Sequence, residues 1–86
     1  MKVLAVSTNI ADPTPHLAAE SARMDELVRS GVVERLLLKA DRSGAVLLLD
    51  AADRDTAQAA VDTLPLVRHG VTRFALTPLV EPAEMV

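Results

Sequence analysis

The sequence contains no cysteine, tryptophan or tyrosine, and one phenylalanine among its 86 residues. Without cysteine there is no disulfide scaffold and no thiolate metal site, and the chain suits a reducing compartment. Three glycines and five prolines are too few for a collagen-like or linker chain. Cationic charge is scarce as well. Nine Lys and Arg against twelve Asp and Glu leave a net charge of −3, so no basic excess is available to neutralise nucleic-acid phosphates. Long hydrophobic runs are missing: the longest, Ala45 to Leu49, is far below the ~18–20 residues that cross a bilayer. The apolar start, Val3 to Val6, is too short for a signal-peptide core, so a cytoplasmic location without membrane contact is expected. There is no linker, internal repeat or low-complexity tract.

What the chain does have is aliphatic side chains. Half of its residues are hydrophobic and 24% are charged, which excludes a disordered acidic tail. Seven Arg against two Lys, with abundant Ala, suggest a GC-rich bacterial source. The length sets a ceiling of one domain, here residues 1–80 with a tail at 81–86. A domain this small buries only roughly 60–65% of its unfolded surface. The chain is richer in apolar residues than such a core absorbs, and a second copy of the chain is the simplest cover.

Lys2 to Thr8 reads as a strand. Asp12-Pro13-Thr14-Pro15 is punctuation, with Asp12 or Thr14 placed to cap a helix running to about Ser30. Leu17, Met24, Leu27 and Val28 form its apolar stripe, and Gly31 stands where a C-terminal glycine cap belongs. Val32 to Ala40 and Ala45 to Asp50 are strands joined through Asp41-Arg42-Ser43-Gly44 as a hairpin. Asp53 caps a second helix from about Arg54 to Leu64, which Pro65 stops. After the connector Leu66 to Gly70, Val71 to Val80 is a fourth strand, and its Pro78 argues for an edge position or an irregular end. The order β-α-β-β-α-β is the ferredoxin-like α+β pattern, a four-stranded antiparallel sheet with two helices on one face. A sheet with one wet face alternates apolar and polar residues. Val3-Leu4-Ala5-Val6, Leu36-Leu37-Leu38 and Ala45 to Leu49 do not. The helix-free face should therefore be covered too, by pairing two chains into a dimeric α+β barrel.

The chain resembles muconolactone delta-isomerase and its small relatives over about Glu20 to Pro82. The resemblance rests on Ala19-Glu20, Gly31, Leu49-Asp50, Leu64-Pro65-Leu66 and Thr77-Pro78-Leu79. It implies ferredoxin-like chains that pair into α+β barrels, and a double-bond shift by proton transfer without metal or organic cofactor. The isomerase carries aromatic residues along strands two and three; Val32 to Ala40 and Ala45 to Asp50 carry none.

Among polar residues Glu20 is the most informative. It falls within the stripe of Leu17, Met24 and Leu27, where an apolar surround raises a carboxyl pKa and suits it to general acid–base work. The alternative is a surface pair with Arg23 or His16. His16 and His69, the only histidines, are candidate proton shuttles; the alternatives are a surface residue near the helix start for His16 and a solvated turn for His69. Two histidines without a spaced third ligand make a weak case for metal, so none is expected. Arg68 and Lys39 are candidate anchors for substrate oxygen; as outside residues they would only solubilise an edge. Ser7, Thr8 and Asn9 end the first strand without a phosphate-binding loop or nucleophile elbow. The leading expectation is a cofactor-free isomerase or cyclase acting on a small apolar oxygenated molecule. The alternatives are a cofactor-independent monooxygenase, by analogy of fold, and a non-catalytic binding or assembly module.

Overall fold

A computed structural model describes residues 1–85. Burial alternates along the first strand, β1 (Lys2–Asn9): Val3, Ala5 and Ser7 are buried, while Leu4, Val6 and Thr8 are not. Asp12 does not cap the following helix directly, as the sequence suggested. Its Oδ1 accepts hydrogen bonds from the Thr14 N–H at 3.0 Å and the Thr14 hydroxyl at 2.7 Å, tying down a 3-10 turn at Thr14–His16. The helix α1 (Leu17–Arg29) starts only after that turn. At its far end Gly31 takes a φ of +82°, the left-handed conformation expected of a C-terminal glycine.

The strands β2 (Val33–Leu38) and β3 (Ala45–Asp50) form the expected hairpin, with β2 shorter at each end than the apolar run. Asp53 caps α2 (Arg54–Val61), its Oδ1 accepting from the Thr56 N–H at 2.7 Å. This helix ends three residues before the expected Leu64. Leu64 precedes a proline and is extended, with ψ of 131°, as a pre-proline residue must be. Pro65 then opens a separate short helix, α3 (Pro65–Arg68), rather than a plain connector. The last strand is β4 (Thr72–Leu79), followed by a 3-10 turn at Pro82–Met85. Val86, the end of the expected tail, lies outside the described residues.

The sheet order is β2-β3-β1-β4 with every neighbouring pair antiparallel, so the fold is ferredoxin-like α+β. Pro78 does lie on an edge strand. One sheet face meets the helices. Val3, Ala5, Leu47 and Leu49 are fully buried there against Met24 and Leu27 of α1 and Ala57, Val61 and Leu64 from the α2 segment. The other face is apolar as well, with Leu4 opposite Leu48 and Val6 opposite Val46, and Leu37 beside Val46. No helix of the described residues packs on it, so Leu37 remains half exposed.

Gly44, just before β3, permits a close backbone approach to β1. A Cβ at this position would stand 2.0 Å from the Ser7 carbonyl oxygen, because the hairpin returns directly over β1. Gly70 differs: its φ is +68°, but nothing lies within 4 Å of the space a Cβ would fill. In urea denaturation Gly44→Ala should cost about 3 kcal/mol through the forced shift of β3 against β1. Gly70→Ala should cost only about 1 kcal/mol, from backbone strain alone. Equal losses would show that the contact at Gly44 does not set the strand spacing.

Candidate functional site

The helices leave one end of the sheet uncovered. Leu36 pairs with Leu47 and Leu38 with Ala45, so both point to the helix side, yet Leu38 is 75% exposed. The space above them is a cleft of about 780 Å³ between the start of α1 and the sheet end formed by Ser7, Ala45, Thr72 and Phe74. Its walls are mostly apolar, from Leu17, Met24, Leu36, Leu38, Leu66 and Phe74. That combination, an apolar concavity with a few polar groups, is the usual form of a small-molecule site.

Glu20 is the half-buried carboxylate on this wall. Its Oε1 accepts a hydrogen bond from the Leu66 N–H at 3.0 Å. The reason lies in α3: Leu66 is in its first turn, where an N–H has no intrahelical acceptor. Burial pushes the Glu20 carboxyl above the usual carboxylate range, and the Leu66 N–H partly offsets this by stabilising the anion. The surface pairing with Arg23 does not form. Arg23 instead donates to the Thr63 hydroxyl at 2.9 Å and to Glu26 at 3.0 Å.

His16 precedes Glu20 by one helical turn, and His69 follows α3. Their rings stack, with centroids 4.2 Å apart and planes inclined by 16°. Neither is among the residues lining the cleft. Arg68 is exposed on α3, two residues from the Leu66 N–H that holds Glu20. Lys39 lies beyond the end of β2, and its Nζ donates to the Thr8 hydroxyl at 3.4 Å. Thr8 belongs to the helix-free face, so Lys39 and Glu20 stand on opposite sides of the sheet. The structure thus gathers Glu20 and the two histidines at one end of α1, with Arg68 nearby, and sets Lys39 apart. Among the described residues no group of three or more His, Asp or Glu side chains is arranged to hold a metal ion.

Ser7, Thr72 and Arg42 also line the cleft, and sequence reasoning assigned none of them to it. Ser7 carried a usable signal, because it continues the inward positions of Val3 and Ala5 and so places a hydroxyl on the core side of a central strand. Arg42 carried none beyond its turn composition; it adopts a φ of +64° in the hairpin.

No protein-family model matches the chain, and no curated protein matches it in sequence. Its shape does match solved structures. One is 5-chloro-2-hydroxyhydroquinone dehydrochlorinase (TftG) from Burkholderia phenoliruptrix AC1100, in complex with 2,5-dihydroxybenzoquinone. It is 16% identical, has a TM-score of 0.74 and aligns over 98% of each chain. This likeness establishes the fold. No helix among the described residues is long and apolar enough to cross a membrane.

A carboxyl whose folded pKa lies above its unfolded value favours the fold most when protonated. Its contribution is fully present below the unfolded pKa and is lost as pH rises through the folded one. Glu20→Gln keeps an oxygen for the Leu66 N–H and removes the charge. The variant should equal or exceed the wild type in thermal stability at pH 7, and the gap should close as pH falls below about 4. A variant less stable than wild type at pH 7 and matched at low pH would mean that the anion is stabilised in the fold, not strained by burial.

Proposed function

We propose that this protein is a cofactor-free enzyme that moves a proton on a small, largely apolar, oxygenated molecule, as an isomerase or cyclase of the muconolactone isomerase-like type. The observation that carries this reading is Glu20, a half-buried carboxylate held by one backbone N–H on the wall of an apolar cleft. A carboxyl whose pKa is raised by burial is a stronger base than an ordinary carboxylate and suits proton transfer to and from carbon. His16, one turn before Glu20 and stacked on His69, would pass protons between Glu20 and solvent in this reading. Arg68, exposed on the short helix whose Leu66 N–H holds Glu20, would steady a substrate oxygen from outside the lining residues. The similarly folded TftG supports the class of chemistry, since a dehydrochlorinase removes hydrogen chloride from a small oxygenated ring.

The reading includes a homodimer in a bacterial cytoplasm. Leu4, Val6, Leu37, Val46 and Leu48 make one apolar surface across β2, β3 and β1, and a second copy covers it with the same surface. Lys39 then faces the partner rather than the cleft.

Native mass spectrometry of the purified protein, searched for co-purified small molecules, identifies the ligand class. The recovered molecule is then followed by NMR in heavy water. Exchange of a carbon-bound hydrogen should occur with wild type and fall about 10²- to 10⁴-fold in Glu20→Gln. Exchange that survives the substitution would remove Glu20 as the base. Light scattering tests the assembly: wild type should have twice the chain mass of 9.2 kDa. Leu48 faces away from the helices, so Leu48→Asp should bury an unpaired charge only in the dimer, weaken pairing by several kcal/mol and leave a folded monomer. A wild type that is monomeric at micromolar concentration would overturn the pairing.

A further inference from the structure

Removing a proton from a carbon next to a carbonyl leaves negative charge on the carbonyl oxygen. An enzyme that relies on a carboxylate base therefore needs a hydrogen-bond donor aimed at that oxygen. Two buried hydroxyls line the cleft, Ser7 and Thr72, each 3% exposed. Thr72 is engaged, donating to the Thr8 carbonyl at 3.1 Å. Ser7 is differently placed. Its Oγ accepts from the Ala45 N–H at 2.8 Å, while its own proton has only the Ala45 carbonyl at 3.4 Å. Good O–H···O bonds are about 2.7–2.8 Å long, so the proton is poorly held. A hydroxyl that accepts a strong bond is also polarised into a better donor.

The fold keeps this arrangement open. Gly44 brings β3 over β1 so that the Ala45 N–H reaches Ser7, and a Cβ on Gly44 would stand 3.1 Å from the Ser7 Oγ. Arg42, the cation lining the cleft, is exposed, and water screens its charge.

We infer that Ser7 is a substrate-binding residue whose buried hydroxyl donates a hydrogen bond to the oxygen of the molecule that Glu20 deprotonates. This rests on the proton-transfer reading of the cleft and assigns its substrate class: a compound with an acceptor oxygen, such as a ketone, enone or lactone, beside the carbon that loses its proton. In the step, the C–H bond breaks and its proton passes to the Glu20 carboxylate. The C–H electron pair becomes the new C=C bond, and the carbonyl π pair moves onto oxygen. Ser7 keeps its proton and holds that oxygen by a strengthened hydrogen bond. Where the substrate also carries a C=C bond next to the deprotonated carbon, the anion is a dienolate: Glu20 returns the proton to its far carbon, the C=C shifts by one position and the carbonyl is restored. Without that bond the proton returns to the same carbon.

The test is a fluorine NMR titration with two probes of similar shape, 4-fluoroacetophenone and 1-fluoro-4-isopropylbenzene. The first has a carbonyl that accepts only, and the second has no oxygen. Ser7→Ala should weaken the ketone about three- to tenfold, the size of one buried hydrogen bond, and change the hydrocarbon by less than about twofold. Ser7→Cys, which preserves side-chain volume with a weak donor, should behave alike. If ketone affinity is unchanged in both variants, or both probes weaken together, Ser7 is only a strand pin and the inference falls while the Glu20 reading stands. If neither probe binds wild type, the cleft is no small-molecule site and both readings fall.

Discussion

β1 runs between β3 and β4, and its register decides which side chains meet the helices. Val3 pairs with Leu49 and Pro78, Ala5 with Leu47 and Leu76, and Ser7 with Phe74. Side chains alternate between faces with a period of two, so a slip of one residue would exchange the faces. Val3 would leave the core and Lys2 would enter it. Each fully buried aliphatic side chain contributes roughly 1.5–3 kcal/mol, so the native register is held by several of them together. The same register carries the site. Only in it does Ser7 come to the uncovered end on the helix side, with Ala45 beside it and Phe74 opposite.

The cleft follows from a mismatch of lengths rather than from a special motif. β1 and β4 each contain eight residues, and the helix layer stops short of the end where they meet the hairpin turn. Leu36 and Leu38 lie on the helix side of β2, but the first turn of α1 presents Leu17 and Glu20 across a gap instead of packing onto them. A small domain of this topology has little volume to spare. Its helices pack closely where Met24 and Leu27 meet Val3 and Leu49, and the remaining sheet end becomes a concave wall. Fold alone does not assign a reaction, since unrelated chemistries share this scaffold. At 16% identity the comparison with TftG shows how differently two chains can furnish the same frame.

Local signals made much of the fold legible. Asp53 before α2, Gly31 after α1, the Asp-Arg-Ser-Gly turn and the edge-strand Pro78 all act within a few residues of themselves. The apolar character of both sheet faces was legible for the same reason, from missing alternation in β1 and β3. Glu20 stood out because helical spacing set it among Leu17, Met24 and Leu27. Its partner did not, since the Leu66 N–H is 46 residues away and is free only because Pro65 begins a new helix. The stacking of His16 on His69 is equally non-local, joining the start of α1 to the end of α3. Ser7 could be read as an inward hydroxyl and Gly44 as a turn residue, but not their meeting. Their meaning appears when the hairpin folds back and places Ala45 against β1.

The open cleft also has a thermodynamic consequence. Leu17, Leu36 and Leu38 keep apolar area in water that a longer helix layer would bury, so the empty fold forgoes part of its hydrophobic stabilisation. Glu20 adds to this, because burial disfavours its anion and only one N–H offsets the loss. Both losses fall on the same few residues. A molecule that fills the cleft removes the exposed leucine area from water, and protonation of Glu20 relieves the cost of burying its anion. Binding and folding are linked, since whatever binds only the native state stabilises it. The features that leave this end of the domain incomplete are therefore the ones through which a molecule filling the cleft would stabilise the native state.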